Sequence, residues 1–271
     1  MSTPVAQSEM LEELYEVYNR RRFVHPDPLE FLYEYDQPRD SAAVRDREIV
    51  ALIASSLAYG RVAQILRSVR DVLDRIGSPS AFVRERTTKA IRAALRGFRH
   101  RWTTGEDVAA LLVGVKSVVE EYGSLEACFV AGLGDDDETI MPALTKFVGA
   151  LTTASGASRL DLLADPARGS ACKRLHLFLR WMVRRDEVDP GGWDRVPQSK
   201  LVVPLDTHMH AIARGLGLTT RGQADARTAL EVTAAFRRLN PRDPVKYDFA
   251  LTRVGIRTEM DAAAFVRRDA A

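Results

Sequence analysis

The segment Val202–Leu218, VVPLDTHMHAIARGLGL, joins an apolar stretch to an amphipathic helical pattern at a single acid, Asp206. A carboxylate immediately before a helix is typical of an N-cap, whose oxygens accept hydrogen bonds from amides of the first turn. Those amides and the helix dipole also keep the carboxylate ionised. Asp206 is therefore either a structural cap or, in addition, a fixed anion that can stabilise a developing cation such as a sugar oxocarbenium ion.

Helical periodicity of apolar residues extends along almost all of the 271-residue chain. No repeat, no linker and no alternating strand pattern interrupts it, and the segment 200–205 is at most extended. We predict an all-α fold of about ten helices in a single domain, 1–271. The predicted helices cover 8–22, 46–58, 61–77, 78–86, 104–123, 124–133, 134–154, 170–185, 207–216, 225–239 and 244–254.

The charge of the chain is nearly balanced, with 39 Lys and Arg against 37 Asp and Glu, a net charge of +2. The arginines are clustered, at 18–23, 84–102, 173–185 and 235–247. Guanidinium groups match the geometry of phosphate. The clusters indicate either solvated helix surfaces or a polyanionic partner.

The composition favours a cytoplasmic protein with no membrane span, because no long uncharged apolar window occurs and the N-terminal segment is acidic. Cys128 and Cys172 are the two cysteines, which excludes a disulfide framework and any four-cysteine site. His208 and His210 are two residues apart and face different directions on a helix. We therefore expect no metal and no cofactor.

The segment 162–185 combines a turn at Pro166 and Gly169 with a helix whose apolar stripe leaves Lys173 and Arg180 off the core face. A turn that opens a helix presents free amides, which suit a phosphate group. A plain connection between two helices has the same pattern, so both interpretations stay open.

The Asp-Thr-His segment at 206–208 resembles the corresponding segment of the helix–hairpin–helix DNA glycosylases, the endonuclease III superfamily. Residues 46–73 resemble the paired helices that open that fold, with SLAYGR, 56–61, at the DNA-facing loop. Residues 165–175, DPARGSACKRL, resemble a degenerate hairpin. The resemblance covers roughly 45–255, and the chain is most similar to a bacterial family of this superfamily that carries KRLxxFLRWMVR and PLDTHxHxIARxLGLTxR.

This resemblance implies a helix–hairpin–helix glycosylase-like fold with two lobes and a cleft between them. It also implies that Asp206 is the catalytic carboxylate and that Lys173 lies near the Schiff-base lysine of bifunctional members. The usual Leu-Pro-Gly-Val-Gly hairpin is absent. The separation of Lys173 and Asp206 exceeds that of endonuclease III and is closer to that of archaeal 8-oxoguanine glycosylases. No cysteine follows the resembling region, so the iron–sulfur cluster of some members is not expected.

A glycosylase of this kind flips a damaged base out of double-stranded DNA. Neutral Lys173 then attacks the sugar, a Schiff base forms and strand cleavage by elimination follows. If Lys173 points away, Asp206 activates water instead and the enzyme is monofunctional. The residues expected to contact DNA or substrate are Pro166, Gly169, Arg174, Arg180, His208, Tyr59, Arg61 and Trp193. Trp193 stands out because its neighbours place it on a loop, ahead of Trp102 and Trp181. For each of these rings and for Tyr59, a place in the core is the alternative, and it is the commoner one for such side chains.

Two other functions fit the same residues. One is an N-glycosidase acting on a free modified nucleoside or nucleotide, which loss of the usual hairpin favours. The other is a non-catalytic nucleic-acid-binding protein on the same fold. Asp248 is either a second acid near the site or the ion-pair partner of a nearby Arg or Lys. We expect a monomer, and the identity of the base is not encoded in any motif.

Overall fold

The computed structural model describes residues 4–35, 41–156 and 160–256, and within them the chain is mostly helical, as predicted. The α-helices are α1 Pro4–Tyr18, α2 Ser41–Ser56, α3 Val62–Ile76, α4 Pro79–Glu85, α5 Thr88–Ala94, α6 Gly105–Tyr122, α7 Leu125–Ala131, α8 Met141–Ala154, α9 Lys173–Val183, α10 Thr207–Gly215, α11 Ala226–Leu239 and α12 Asp248–Ile256. A two-stranded antiparallel hairpin pairs β1 Arg99–His100 with β2 Thr103–Thr104. None of the helices in these ranges is long and apolar enough to cross a membrane.

Three local features differ from the sequence-based prediction. Helix α5 and strand β1 lie within the arginine-rich segment 84–102, and β2 follows it directly; elements of seven and two residues are too short to produce a periodic pattern. The acidic run after 134 forms a turn, because the Asp137 carboxylate accepts the Gly134 amide at 2.8 Å, and α8 begins only at Met141. Helix α9 begins at Lys173 because Cys172 has a positive φ of 46°.

The core is one continuous set of buried apolar side chains, from Leu11 near the N-terminus to Leu251 in α12. Helices α2 and α9 pack against each other at its centre. Around them, α6 packs on α5, α7 and α8, whereas α12 packs on α1 and α10. Gly114 allows a close contact between α6 and α8, since a Cβ there would lie 2.4 Å from the Leu151 carbonyl oxygen.

Trp193 lies on a loop, as the neighbouring glycines indicate, but its side chain is buried with 1% of its surface exposed. Its ring packs against Phe129, Phe147 and Phe178, with centroids 5.1 to 6.5 Å apart. Its Nε1 donates a hydrogen bond of 3.0 Å to Glu48. The prediction that Trp193 contacts DNA is therefore wrong, because the ring fills the core between α2, α7, α8 and α9.

Glu48 connects this aromatic cluster to the start of α7. Its carboxylate accepts the backbone amides of Leu125 at 2.9 Å and Glu126 at 3.2 Å, besides the Trp193 indole. Burial raises the pKa of Glu48 to about 7, in opposition to these three donors. The Glu48 side chain of α2 thus caps the first turn of another helix, α7.

Arg180 is also buried, and the prediction that it contacts DNA is wrong. Its guanidinium pairs with Asp189, with 3.2 Å between Nε and Oδ1, and with Asp248 at the start of α12. One turn further along α9, Arg184 pairs with the same Asp189 and with Asp243, the latter at 2.9 Å. The arginines that lie off the apolar stripe therefore anchor α9 to two other segments through buried charge pairs.

We expect Trp193→Ala to lower the free energy of unfolding by about 3–5 kcal/mol, because it leaves a cavity among three phenylalanines. Trp193→Phe keeps most of the ring but removes the donor to Glu48, so its cost is about 1–3 kcal/mol. Urea denaturation measures both values. Trp102→Ala, at a tryptophan that is 67% exposed, serves as the matched control and should change stability much less. Equal costs at the two tryptophans would contradict this account of the core.

Candidate active site

The site begins with the extended segment that leads to Asp206. Val202, Val203 and Leu205 are buried, and the amide of Val203 donates to Thr233 Oγ1 of α11 at 3.0 Å. Asp206 then caps α10, since its Oδ1 accepts the amides of His208 and Met209, both at 2.9 Å. The predicted N-cap is confirmed, and it fixes the carboxylate at the end of a buried segment.

Lys173 is placed by the turn that precedes α9. Asp165 accepts the Ala167 amide at 2.9 Å, and Gly169 turns the chain with φ +76°. The Gly169 carbonyl oxygen accepts the amide of Ala226 at 3.1 Å, which ties the turn to the start of α11. Lys173 is consequently the first residue of α9.

The proline of this turn is not a surface residue. Pro166 is buried, whereas Gly169 is exposed. Pro166 therefore shapes the turn from inside, and the prediction that it contacts a phosphate directly is wrong. Gly169 has nothing within 4 Å of its Cβ position, but its amide donates to the Pro166 carbonyl oxygen at 3.2 Å and its carbonyl oxygen accepts from Ala226.

Lys173 and Asp206 meet as an ion pair, with 3.0 Å between Nζ and Oδ2. The side chains are 35% and 26% exposed, so both are within reach of solvent and substrate. Burial raises the pKa of Asp206, but Lys173, the Met209 amide and the nearby His208 lower it by more, and the net shift is downward. The two carboxylate oxygens have separate partners, since Oδ1 caps the helix and Oδ2 binds the amine.

The pair lies beside an open cleft of about 460 Å³. Its walls are the turn 169–172, Lys173 and Arg174 at the start of α9, Ala58 and Tyr59 after α2, and Ala224 and Asp225 before α11. The cleft therefore joins the predicted hairpin, the predicted DNA-facing loop and the candidate lysine. This meeting of three segments distant in sequence gives a reacting group a place to bind.

Arg174 contacts the protein itself rather than open solvent. Its Nη1 donates to the carbonyl oxygen of Ser56, at the end of α2, and its guanidinium lies 5.2 Å from the centroid of the Tyr59 ring. Burial lowers the pKa of Arg174. It therefore fixes the loop that carries Tyr59, and its predicted contact with a phosphate stays untested.

Tyr59 belongs to an aromatic stack that the β1–β2 hairpin presents. The ring of Trp102 lies 4.9 Å from that of Tyr59 at an interplanar angle of 23°, and Trp102 is 67% exposed. The Tyr59 hydroxyl bonds to the carbonyl oxygen of His100 at 3.0 Å and to Thr103 Oγ1 at 2.6 Å. Buried His100 in turn bonds to Ser68 at 2.9 Å. The sequence points to Tyr59 and Trp102 as separate candidates and does not predict that they stack. The segment RHRW, 99–102, before the helix cap at Thr104 is the one sequence feature that marks the hairpin.

His208 and Arg61 are predicted to contact DNA or substrate, and His210 is the second histidine of α10. His208 is exposed and contributes to the low pKa of Asp206. His210 Nε2 lies 2.9 Å from the Arg221 carbonyl oxygen. Arg61 is exposed immediately before α3. Among the residues that the structure describes, no three His, Cys, Asp or Glu side chains come together as metal ligands.

Asp248 forms the ion pair considered for it, with Arg180, and its role as a second acid of the site stays a prediction. One of its oxygens accepts from Arg180, and the other has no hydrogen-bond partner within the described chain. Burial raises the pKa of Asp248, Arg180 opposes the rise, and the charges of Asp206 and Lys173 contribute smaller shifts in opposite directions. A buried acid of α12 therefore lies in electrostatic range of the Lys173–Asp206 pair.

The sequence matches the model of a family described as "Protein of unknown function (DUF2400)" over residues 27–257. No curated protein and no solved structure matches the sequence. The matched range contains the cleft, the ion pair and the β1–β2 hairpin.

Replacing Lys173 with methionine should raise the pKa of Asp206, because burial is then no longer opposed by the ammonium group. A carboxyl whose folded pKa lies below its unfolded value of 3.8 contributes stability above that pH and loses it as the pH falls through the folded pKa. The variant should therefore lose less stability on acidification than the wild type. A carbon NMR titration of the Asp206 carboxyl measures the shift, with Lys146→Met as the control. An unchanged pKa would mean that the ion pair is absent in solution.

Proposed function

The chain belongs to the DUF2400 family, and from the geometry of its cleft we propose that it is a DNA repair-type N-glycosylase with AP lyase activity. The observation that supports this proposal is the Lys173 amine held 3.0 Å from Asp206 at the edge of an open cleft. A nucleophilic amine needs an adjacent group that takes its proton, and a cleaved glycosidic bond needs a nearby anion. One ion pair supplies both.

In the proposed reaction, Lys173 first gives a proton to solvent, with Asp206 as the relay. Its free electron pair then forms a bond to C1′ of a flipped nucleotide while the C1′–N bond to the base breaks. The base leaves with that electron pair and is protonated by solvent. The positive charge that develops on the sugar faces the Asp206 carboxylate. The bound nitrogen then loses a proton to solvent, its electron pair forms the C1′=N bond, and the C1′–O4′ bond breaks with protonation of O4′, which opens the ring and gives a Schiff base.

Strand cleavage follows from the Schiff base by elimination. Loss of a proton from C2′ and departure of the 3′ phosphate oxygen with its electron pair break the backbone, and water then releases Lys173. Asp206 is suited to remain in place throughout, because the two amides that hold Oδ1 do not depend on the lysine. The carboxylate is preorganised, so little reorganisation is needed in the transition state.

DNA fits this cleft better than a free nucleoside does. The cleft is open, Tyr59 of the Tyr59–Trp102 stack lines it, and the exposed Arg61 follows Tyr59 by two residues. An exposed aromatic ring such as that of Trp102 suits stacking on a base, and guanidinium groups suit backbone phosphates. A pocket for a small nucleoside encloses most of its ligand instead.

Borohydride trapping tests the chemistry. Labelled duplexes carrying 8-oxoguanine, uracil, an oxidised pyrimidine or an abasic site are incubated with the protein and the reductant. We expect a covalent adduct with at least one duplex and its loss in Lys173→Ala but not in the control Lys146→Ala. Asp206→Ser keeps a side chain that can cap α10, so it should fold while base release falls by at least about 10²-fold.

Two outcomes separate the alternatives. Base release without an adduct, retained in Lys173→Ala, would identify a monofunctional enzyme in which Asp206 activates water. Folded protein that releases no base and traps no abasic site in any of these duplexes would contradict the glycosylase proposal. Release of a base from free nucleosides alone would favour the N-glycosidase.

Trp102→Ala should weaken binding of a duplex with an abasic site by about tenfold, since stacking of a base on an aromatic ring contributes about 1–3 kcal/mol. Trp102→Phe should restore most of the affinity because the flat ring remains. Fluorescence anisotropy measures both variants. Equal affinities for Trp102, Phe and Ala would show that this ring does not stack on a base.

A further inference from the structure

A second depression, of about 1020 Å³, lies between α5, the turn 96–99 and the start of α6. Its lining includes four cationic side chains, Lys89, Arg92, Arg96 and Arg99, and one carboxylate, Glu106. We call this depression the basic groove. It shares no lining residue with the cleft at Lys173.

The basic groove has a firmly held floor. A Cβ on Gly105 would lie 1.9 Å from the Leu95 carbonyl oxygen, so the end of α5 packs directly on the start of α6. Arg75 of α3 donates to the carbonyl oxygens of Ala94 at 3.2 Å and Arg96 at 3.0 Å, which holds the turn from below. Arg92 pairs with Glu106 across the groove. Its shape thus comes from backbone packing rather than from the cations that line it.

Three of the four cations are available to a ligand. Lys89, Arg96 and Arg99 are exposed, and within the described part of the chain none of them forms an ion pair. Arg99 donates through Nε to the Arg101 carbonyl oxygen at 3.2 Å, which leaves its Nη groups toward solvent or ligand. A concave surface with unbalanced positive charge concentrates anions.

The groove and the cleft lie on two sides of one hairpin. Arg99 of β1 and Thr104 of β2 line the groove, whereas the turn between the strands carries Trp102. Trp102 stacks on Tyr59, and Tyr59 lines the cleft. The exposed Trp102 and the half-buried Tyr59 therefore lie between the positive charge of the groove and the cleft that Lys173 lines.

We propose that the basic groove binds backbone phosphates of the DNA whose reactive nucleotide occupies the Lys173 cleft. The choice of cleft as the reactive site rests on the proposed function. Phosphate contacts fix the position of a duplex without reading its sequence, which is what a groove of mobile cations beside a stacking surface can do. The aromatic rings next to the groove favour nucleic acid over an acidic protein as its occupant.

Salt dependence of DNA binding tests the groove. The probe is a short, labelled, undamaged DNA duplex, and the variant combines Lys89→Ala, Arg96→Ala and Arg99→Ala. Arg92 is kept because it pairs with Glu106. The control combines Arg22→Ala, Arg185→Ala and Arg238→Ala, exposed arginines that line neither depression. Thermal unfolding checks that both variants are folded.

We expect the slope of log K against log salt concentration to fall by about 0.9 for each phosphate contact removed, so by about 2–3 in the groove variant. The control should keep the slope of the wild type. Trp102→Ala should lower affinity with little change in slope, since stacking releases no counterions. Equal slopes in the groove variant and the control would overturn the proposal. Polyglutamate serves as an acidic peptide probe, and a groove variant that loses binding to it while keeping DNA binding would overturn the proposal as well.

The groove and the chemistry can fail separately. Base release and borohydride trapping report on Lys173, whereas the salt slope with undamaged DNA reports on the groove. A reduced slope without any base release would leave the groove as a DNA-binding surface of a protein with another activity. Full base release with an unchanged slope would leave the cleft as the site and remove the groove from it.

Discussion

The rest of the site depends on the Asp206 carboxylate, whose two oxygens bind different partners. Asp206 holds the first turn of α10 through Oδ1 and the Lys173 amine through Oδ2. The first duty requires a non-helical residue after a buried extended segment, and the second requires the start of α9 at hydrogen-bonding distance. Satisfying both fixes where the turn 165–172 and the segment 200–205 enter the fold.

Helix α9 carries this constraint into the core. Its first residue is in the cleft, its middle packs on the aromatic cluster of Trp193, and its last turn is held by buried carboxylates. Buried ion pairs contribute little net stability, but leaving one partner alone is costly. The pairs of Arg180 and Arg184 therefore act mainly to exclude other positions of the helix, and Asp248 extends the same network toward the Lys173–Asp206 pair.

The sequence predicts those features that local patterns determine. Helix periodicity, the cap at Asp206 and the meeting of Lys173 with that cap all follow from spacing over a few residues or from a resemblance carried by such a segment. The burial of Trp193 and Arg180 does not follow from local patterns, because it depends on partners far along the chain. These partners are Phe129 and Glu48 for the indole and Asp248 for the guanidinium. Glycines beside Trp193 correctly predict a loop, but a loop backbone does not decide where its side chains lie. The two-residue strands of the hairpin are below the length at which alternation can be recognised, so the Tyr59–Trp102 stack emerges only in three dimensions.

Lys173 and Arg174 are neighbours in the chain, so the amine and the contact that holds Tyr59 are covalently linked. One residue provides the reactive amine, while the next holds Ser56 and the ring of Tyr59. The residue that provides the amine and the residue that holds the Tyr59 ring are thus one peptide unit apart, about 3.8 Å between their Cα atoms. Any shift of α9 therefore moves the Lys173 amine together with the Arg174 guanidinium that contacts Ser56 and Tyr59. The cleft wall at Ala224 and Asp225 belongs to another segment, so its side chains can change with the ligand while the pairing of Lys173 and Arg174 stays the same.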